Sequence, residues 1–430
     1  MGASVRRIAL FALIQLVFLA ACGGGSSDLA SGSGSGTGGS GSSGPTIASP
    51  AANVVSLTVD GGPATSPNFN IPYITVTVCA PGSTTNCQTI DHIEVDTASY
   101  GLRIISSVLN ANLLAALPAE TTGGAPLAEC VEFGDGYSWG SMRTADLTIS
   151  SEKAANIPMQ VLGDPNLPTA PDICKTSNMT QVEEDTVDSF GANGIVGLGP
   201  FAQDCGEGCV QTAGTTFYYT CPSGSGTCQP STATLAQQTT NPVVAFAADN
   251  NGVIVELPTI SDSGAMSASG ALVFGIGTEG NNSLGSAVVL TTDSNNGNFS
   301  VTFGGNSYQD SFVDSGSNLI YFDLNNGSTV SIPECTISSQ SFYCPTSQQS
   351  LTAVNTGLNG IQSTVTFKVA NAQTIFNTAP ASYAAFDNLA APNGTGSAFD
   401  FGLPFFYGRN VFTAIQGMNT PGGMGPYVAY

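Results

Sequence analysis

The strongest constraint on the fold is a seven-residue pattern that the chain contains twice. Residues 93–99 read Ile-Glu-Val-Asp-Thr-Ala-Ser, and residues 311–317 read Ser-Phe-Val-Asp-Ser-Gly-Ser. Each copy is followed by a second apolar run and, further along, by an apolar segment that contains glycine: 100–104 with 194–199, and 318–322 with 399–403. Because the same elements occur twice in the same order, the sequence predicts two lobes related by a pseudo-twofold axis.

From residue 53 onward the chain has the pattern of an all-β protein. Short apolar or alternating runs are separated by turn signals such as Asn-Asn-Gly. The runs predicted as strands are 54–59, 74–78, 93–95, 243–247, 253–257 and 301–303. Helical periodicity is scarce, and its best candidate is 106–117, with Ser106 or Ser107 as N-cap and Pro118 as the stop. The predicted fold is all-β and two-lobed, with few short helices.

The charged residues exclude several classes of function. The chain has 30 acidic residues against 8 basic ones, a formal net charge of −22, and a single histidine, His92. A Ser-His-Asp or Cys-His nucleophile, or a histidine-rich metal site, would depend on that one residue. Phosphates repel so acidic a surface, so nucleic acid is not an expected partner. The chemistry must therefore use carboxylates and hydroxyls, and we expect neither a metal nor a cofactor.

The two aspartates of the repeat, Asp96 and Asp314, supply such chemistry. Each ends an apolar strand and is followed by two hydroxyl residues, and these dyad-supporting residues are Thr97, Ser99, Ser315 and Ser317. Two carboxyls within hydrogen-bonding reach share a proton, because both cannot ionise together. One of them can then take a proton from a bound water while the other protonates a carbonyl oxygen. Asp96 and Asp314 are the predicted catalytic pair.

These motifs resemble those of the pepsin-like aspartic proteases over nearly all of residues 53–430. Asp96 and Asp314 stand where that family has its catalytic pair. Residues 193–199 and 401–413 resemble the glycine segments that thread behind the two aspartates. Together with the lipoprotein-like N-terminus described below, the layout is also similar to a bacterial lipoprotein family of uncharacterised function. The resemblance implies a two-lobed pepsin-like fold and an endopeptidase activity.

A third segment, residues 131–140, resembles the flap hairpin that closes over bound peptide in the pepsin-like family. Its flap residues are Phe133, Gly134 and Gly136. The resemblance therefore implies that an extended polypeptide, as substrate or as peptide ligand, binds in a β-like conformation beneath this hairpin.

Two residues depart from the family pattern. Ala98 stands where the first loop usually has glycine, and Phe133 stands where the flap usually has tyrosine. A methyl group at Ala98 could separate the lobes, and Phe133 lacks the hydroxyl that orients the flap. Two alternatives to the peptidase therefore stay open: a catalytically silent surface lipoprotein that binds peptide or glycan, and a structural surface lipoprotein or adhesin.

The N-terminus has the features of an export signal. A basic pair, Arg6-Arg7, precedes an apolar stretch that ends in Leu-Ala-Ala-Cys, which is typical of a signal peptide. The ending resembles the bacterial lipoprotein signal and implies cleavage after residue 21 and lipidation of Cys22. Residues 22–50 form a Gly/Ser-rich tether, which cannot bury enough apolar area to fold. We expect a monomer anchored to the bacterial membrane, favouring the outer membrane, with its body in the periplasm or at the cell surface.

Ten cysteines remain after Cys22, an even number that fits disulfides in an oxidising compartment. Cys79 with Cys87, and Cys335 with Cys344, bracket short segments. The other candidates are Cys130, Cys174, Cys205, Cys209, Cys221 and Cys228. The last four crowd into one stretch, where a zinc cluster is the alternative. The predicted layout is an N-terminal lobe at 51–204, a cysteine-rich insertion between the lobes at 205–242, and a C-terminal lobe at 243–430.

Five further residues have competing structural and functional interpretations. His92 is expected to be a strand residue without a chemical role. Arg103 and Arg143, rare cations in an acidic chain, are expected in salt bridges rather than as substrate anchors. Trp139, the sole tryptophan, is expected in the core rather than the cleft. Asp262 lies in a third Asp-Ser-Gly sequence that lacks flanking apolar strands, so it is predicted to lie in a loop.

Overall fold

The structure is a computed structural model, which describes residues 45–65, 67–177, 182–214, 217–222 and 227–430. The predicted signal peptide at 1–21, the predicted lipidation site Cys22 and the tether up to residue 44 lie outside the described residues. In the part of the chain that is described, no helix combines the length and apolarity needed to cross a membrane.

The first half of the chain is mostly strand, with four short α-helices in the described residues. Its elements are β1 (Val54–Val59), β2 (Pro72–Cys79), β3 (Cys87–Asp96), β4 (Tyr100–Ile105), α1 (Ala111–Ala116), β5 (Thr121–Thr122), β6 (Ala125–Glu132), β7 (Tyr137–Ile149), β8 (Glu152–Leu162), α2 (Asp172–Ser177), α3 (Val187–Phe190), β9 (Gly194–Leu198), α4 (Glu207–Gln211), β10 (Tyr218–Thr220) and β11 (Gln229–Pro230).

The second half has the same character. Its elements are β12 (Gly252–Leu257), β13 (Ala268–Phe274), β14 (Val289–Thr291), β15 (Phe299–Phe303), β16 (Asn306–Val313), β17 (Ile320–Phe322), β18 (Glu334–Ile337), β19 (Gln340–Tyr343), β20 (Gln349–Thr356), β21 (Gln362–Val369), α5 (Ala372–Thr378), β22 (Ala390–Ala391), β23 (Phe399–Phe401), β24 (Arg409–Ala414), β25 (Asn419–Thr420), β26 (Gly423–Met424) and β27 (Tyr427–Ala429). The predicted all-β fold with few short helices is confirmed.

The predicted internal repeat is visible in the strand order. In the first half, β9 lies between β3 and β4, parallel to β3 and antiparallel to β4, and β8 is parallel to β4 on its other side. In the second half, β23 lies in the same way between β16 and β17, and β22 is parallel to β17. Each half therefore inserts its glycine-containing segment between the strand that ends in aspartate and the strand that follows. This repeated arrangement confirms the pseudo-twofold relation.

The sheets join the two halves. In the first half, β2 pairs with both β3 and β7, so β2, β3, β9, β4, β8 and β7 form a closed ring of strands around a core. In the second half, the aspartate strand belongs to a seven-stranded sheet in the order β21-β20-β15-β16-β23-β17-β22. Strand β1 pairs with β2 on one side and with β13 on the other, which links the first half to the second.

The strands that carry the repeat are buried on both faces. All residues of β4 and β9 are buried, which is why both strands are mostly apolar rather than alternating, with Arg103 of β4 as the exception. One hydrophobic cluster includes Val95 and Val196 of the first half together with Val313 and Phe401 of the second. Full burial of side chains of this size contributes about 1.5–3 kcal/mol each, so the loops after β3 and β16 are held by a shared core.

Two predicted elements differ from the structure. The helix predicted over 106–117 is wrong in its start: residues 106–108 form a separate 3₁₀ turn, and α1 begins at Ala111 because the Asn110 side chain accepts a hydrogen bond from the backbone N–H of Leu113. The strand predicted at 243–247 is wrong, because Pro242–Ala245 is a 3₁₀ helix whose start is capped by the side chain of Asn241.

The ten described cysteines form five disulfides: Cys79–Cys87, Cys130–Cys174, Cys205–Cys209, Cys221–Cys228 and Cys335–Cys344. The four cysteines at 205–228 that could have formed a zinc cluster therefore form two disulfides, so the zinc alternative for this segment is wrong. Because disulfides persist in oxidising compartments, the five bridges indicate an extracytoplasmic environment.

Candidate active site

Asp96 is placed by the end of a buried strand. It is the last residue of β3 and lies beside Gly197 of β9. A Cβ on Gly197 would lie 2.2 Å from the backbone nitrogen of Tyr100, so only glycine allows the two backbones to approach this closely. The second half uses the same device, because a Cβ on Gly402 would lie 2.0 Å from the carbonyl oxygen of Leu319.

The two aspartate loops hold their carboxylates in similar ways. The backbone N–H of Ala98 donates to Oδ1 of Asp96 at 2.7 Å, and that of Gly316 donates to Oδ1 of Asp314 at 2.8 Å. Ala98 lies outside the left-handed backbone region in which a Cβ would be strained. Alanine at this position therefore keeps the hydrogen bond that glycine makes in the other loop.

Thr97 and Ser315 lock the loops to each other. The backbone N–H of Thr97 donates to Oγ of Ser315 at 3.1 Å, and the backbone N–H of Ser315 donates to Oγ1 of Thr97 at 3.0 Å. The Ser315 hydroxyl donates in turn to the carbonyl of Val95 at 2.7 Å. All three bonds are buried, so they fix the distance between the two aspartates more firmly than exposed bonds would.

The carboxyls of Asp96 and Asp314 lie within hydrogen-bonding reach of each other, and both side chains are fully buried. Burial raises the pKa of Asp314 well above its usual range, and the negative charges of Asp96 and Asp400 and the hydrogen bond with Asp96 raise it further. Oδ2 of Asp96 accepts no hydrogen bond from the described protein groups. A single proton shared between the two carboxyls satisfies this oxygen and removes the repulsion of two buried charges.

The hydroxyls of Ser99 and Ser317 behave differently. Oγ of Ser317 lies 3.1 Å from Oδ2 of Asp314 and 2.5 Å from Oδ2 of Asp400. Oγ of Ser99 has no hydrogen-bond partner among the described groups, although its backbone N–H donates to Asp96 at 3.2 Å. Both serines therefore donate a hydrogen bond to their aspartate, but Ser99 does so through its backbone N–H and Ser317 through its hydroxyl.

Asp400 is a site residue that sequence reasoning missed. It lies in the middle of β23 between two buried phenylalanines and is itself buried. The sequence did contain a sign of it. The first copy of the glycine segment begins with an apolar residue, Ile195, and the second copy has the charged Asp400 at the same position. Its importance came from a contact with Ser317 that only the folded chain makes.

The segment predicted as the flap is the hairpin of β6 and β7, closed by a hydrogen bond from the N–H of Phe133 to the carbonyl of Gly136 at 2.7 Å. Gly134 lies half-buried in the turn. Phe133 is buried and packs edge-to-face on Phe190, with ring centroids 5.6 Å apart. The Phe133 side chain is therefore part of the core of the first half.

The turn end of the hairpin is tied to the rest of the first half. The N–H of Tyr137 donates to the carbonyl of Val182, and the N–H of Glu184 donates to the carbonyl of Tyr137, each at 2.8 Å. The Cys130–Cys174 disulfide joins β6 to α2. Strand β10 of the cysteine-rich stretch extends the sheet beside β6. The hairpin is thus held by backbone bonds and a covalent bridge.

Arg103 and Arg143 both form ion pairs, the first fully buried and the second partly buried. Nη2 of Arg103 lies 2.6 Å from Oε1 of Glu129 and 3.4 Å from Oδ2 of Asp204, and Arg103 is only 1% exposed. Nη2 of Arg143 lies 2.7 Å from Oδ2 of Asp164. Both arginines are therefore engaged in salt bridges, the interpretation favoured by the sequence.

Three other predictions concern residues away from the dyad. His92 is a residue of β3, where its ring lies near Asp60 and Asp91. Trp139 is buried and its indole N–H donates to the carbonyl of Pro168 at 3.0 Å, which makes it a core residue. Asp262 lies in an exposed turn and pairs with Lys368, as expected for a loop.

The described residues include no group of three or more His, Cys, Asp or Glu side chains arranged to hold a metal ion. Near the two aspartates the described residues place carboxyls and hydroxyls. Two fixed carboxyls with one shared proton can remove a proton from one atom and deliver a proton to another.

A sequence model of a family described as protein of unknown function, DUF3443, matches residues 49–430. The chain belongs to this family. No curated protein matches this DUF3443 member. Among solved structures it is similar to the aspartic proteinase from Irpex lacteus, with 17% identity, a TM-score of 0.49, and coverage of 88% of this chain and 96% of that one.

Proposed function

We propose that this chain is a lipid-anchored, extracytoplasmic aspartic endopeptidase, in which a water activated by Asp96 and Asp314 cleaves an extended polypeptide. The observation that supports this function most strongly is the pair of buried, hydrogen-bonded carboxyls locked together by Thr97 and Ser315. A carboxyl pair that shares a proton is the arrangement that peptide hydrolysis by two aspartates requires.

In this proposal the two aspartates have different roles. Asp314 holds the shared proton, because burial and the neighbouring charge of Asp96 raise its pKa. Asp96 takes a proton from the attacking water, while Asp314 protonates the oxygen of the peptide carbonyl. The tetrahedral intermediate breaks down when Asp96 passes its new proton to the leaving nitrogen, and Asp314 takes back a proton from the hydroxyl that becomes the carbonyl oxygen of the new carboxyl group, so the dyad returns to its one-proton state.

The test uses the purified chain from residue 45 onward, denatured polypeptide as substrate, and a pH range of roughly 3–7, over which carboxyl dyads change their proton number. We expect cleavage by the wild type, inhibition by pepstatin, and loss of cleavage in Asp96→Ala and Asp314→Ala. Asp262→Asn is the matched control, because it alters the exposed Asp-Ser-Gly sequence and leaves the dyad intact. Absence of cleavage by the wild type at every pH would contradict the proposal.

A second candidate function is a catalytically silent peptide- or glycan-binding protein. Phe133 favours it, because this flap residue is packed against Phe190 rather than carrying the hydroxyl of the usual tyrosine. The two candidates differ in one measurement. A silent binder retains bound peptide uncleaved and is unaffected in affinity by Asp96→Ala, whereas the peptidase converts the same peptide to two products.

The anchor is part of the proposal and has its own test. Ten of ten described cysteines are in disulfides, which supports an exported chain. If Cys22 carries the lipid, Cys22→Ser releases the protein from the membrane fraction without altering its disulfides. Fractionation of cells that produce the full chain measures this, and size-exclusion chromatography of the released form tests the expected monomer.

A further inference from the structure

Asp400 places a third carboxyl in the site, at a position where the other half of the molecule has none. In the second half, Asp400 pairs with Phe312, which lies two residues before Asp314. In the first half, the residue that pairs two residues before Asp96 is Ile195. Asp400 is therefore the counterpart of an apolar residue. It is only 3% exposed, and burial of an unpaired carboxyl is costly.

The hydrogen bonds of Ser317 require a proton on one of these carboxyls. Oγ of Ser317 lies 2.5 Å from Oδ2 of Asp400 and 3.1 Å from Oδ2 of Asp314. A serine hydroxyl has one hydrogen to donate, and an ionised carboxylate can only accept. Both contacts are hydrogen bonds only if one carboxyl is protonated and donates to Oγ. A protonated carboxyl of Asp400 that donates to Oγ leaves the serine hydrogen for Asp314.

The surroundings of Asp400 favour its neutral form. Burial raises the pKa of Asp400 well above its usual range, the bond with Ser317 lowers it, and the charge of Asp96 raises it. Asp400 forms no ion pair with a basic group in the described residues. The other groups around it are Asp314, reached through Ser317, and Tyr321, which is opposite in register and whose hydroxyl donates to Asn318.

We propose that Asp400 is a positioning residue: a protonated carboxyl that donates to Ser317, so that the Ser317 hydroxyl donates to Asp314 and sets the proton number of the dyad. This inference rests on the proposed function and deepens it. When Asp400 ionises, its charge lies one hydroxyl away from Asp314 and keeps the shared proton on the dyad to higher pH. Asp400 thereby extends the activity toward neutral pH.

The first experiment measures activity against pH in Asp400→Asn and Asp400→Ile. The amide of Asp400→Asn can donate to Ser317 but cannot ionise, so we expect near wild-type kcat at acid pH and an alkaline limb shifted down by about 1 pH unit, the lower end of the effect of a close like charge. Asp400→Ile introduces the residue found at the equivalent position of the first half, Ile195, and removes the hydrogen bond with Ser317, so we expect kcat to fall at every pH. In a Ser317→Ala background the shift caused by Asp400→Asn shrinks. An unmoved alkaline limb in Asp400→Asn overturns the inference.

The second experiment needs no activity and separates this inference from the proposed function. A buried carboxyl with a raised pKa keeps its proton in the folded state after the unfolded chain has lost its own, so stability falls as pH rises above about 4. The slope of unfolding free energy against pH reports how many more protons the folded chain binds than the unfolded chain. In Asp400→Asn we expect this number to fall by up to one, so that stability falls less steeply as pH rises. Asp262→Asn is the control. Lys368 and Gln348 lower the pKa of Asp262, so replacing Asp262 changes the slope at acid pH in the opposite direction. Equal slopes in wild type and Asp400→Asn overturn the inference even if cleavage is seen. A changed slope without cleavage leaves the inference standing and removes the peptidase.

Discussion

Replacement of Arg103 by methionine should destabilise the chain strongly, because Arg103 is the cation of a buried network. Its guanidinium reaches Glu129, Asp204, Gln160 and the carbonyl of Tyr100, at distances from 2.5 to 3.4 Å. Methionine has a similar volume and no charge, so the variant removes the interactions without leaving a large cavity. This isolates the electrostatic part of the network.

The magnitude follows from the charges that remain. Burial opposes the ionisation of Glu129, yet the charge of Arg103 and hydrogen bonds from Asp204 and Thr239 hold the pKa of Glu129 below its usual range. Burial and the charge of Glu129 raise the pKa of Asp204, which therefore keeps its proton. Without Arg103, Glu129 is an uncompensated buried charge. Loss of one partner of such a pair costs about 3–5 kcal/mol, a large share of the roughly 5–15 kcal/mol that stabilises a typical domain.

The penalty should depend on pH. In the wild type the stabilisation from Glu129 is present above its unfolded pKa of about 4.3 and is lost as pH falls through its lowered folded pKa. In Arg103→Met burial raises the pKa of Glu129, so the variant loses stability as pH rises. The difference between the two proteins is therefore largest at neutral pH and narrows toward pH 4.

Urea unfolding at pH 7 and pH 4.5 measures both effects. Lys368→Met is the control, since Lys368 is 36% exposed on its side chain and its pair with the exposed Asp262 should contribute at most about 1 kcal/mol. The double variant Arg103→Met/Glu129→Gln should recover part of the loss, because no buried charge remains. If Arg103→Met costs no more than Lys368→Met at pH 7, the reasoning about the network is refuted.

Three further predictions concern the dyad. Gly197→Ala should disrupt folding of the first aspartate loop, because its Cβ would lie 2.2 Å from a backbone nitrogen. Gly280→Ala should be tolerated, because its Cβ would meet no atom within 4 Å. Thermal unfolding of the two variants tests this prediction. Ser315→Ala leaves a buried N–H and a buried carbonyl without their partner and should cost about 1–3 kcal/mol per orphaned group; a loss below 1 kcal/mol in urea unfolding would show that the lock is weak. Asp314→Asn should abolish cleavage and yet raise stability at pH 7, because it removes a buried carboxyl whose raised pKa destabilises the fold as pH rises; a variant less stable than wild type at that pH contradicts the argument.

The sequence predicted those parts of the fold that depend on local pattern. The apolar residues that lead into Asp96 and Asp314 were predicted as strands, and the family resemblance implied that the glycine segments lie beside them. The strand predicted at 243–247 failed because Asn241 and Pro242 favour a helical start over the strand propensity of the valines. Apolar content alone does not distinguish these two outcomes.

The parts of the site that the sequence missed depend on contacts between distant segments. Asp400 acquires its role only because Ser317 lies 2.5 Å away in the folded chain. Phe133 was assigned to the flap by resemblance, but its packing on Phe190 is decided by the tertiary structure. The doubt about Ala98 could be resolved only by its backbone angles, which place it outside the region that requires glycine.

The measurement that tests the central claim most directly is cleavage of denatured polypeptide by the purified chain across acid to neutral pH, with product masses read by mass spectrometry. We predict two products per cut in the wild type and in Asp262→Asn, and none in Asp96→Ala or Asp314→Ala. Intact substrate with the folded wild type at every pH, or equal cleavage by the wild type and the two dyad variants, would contradict it.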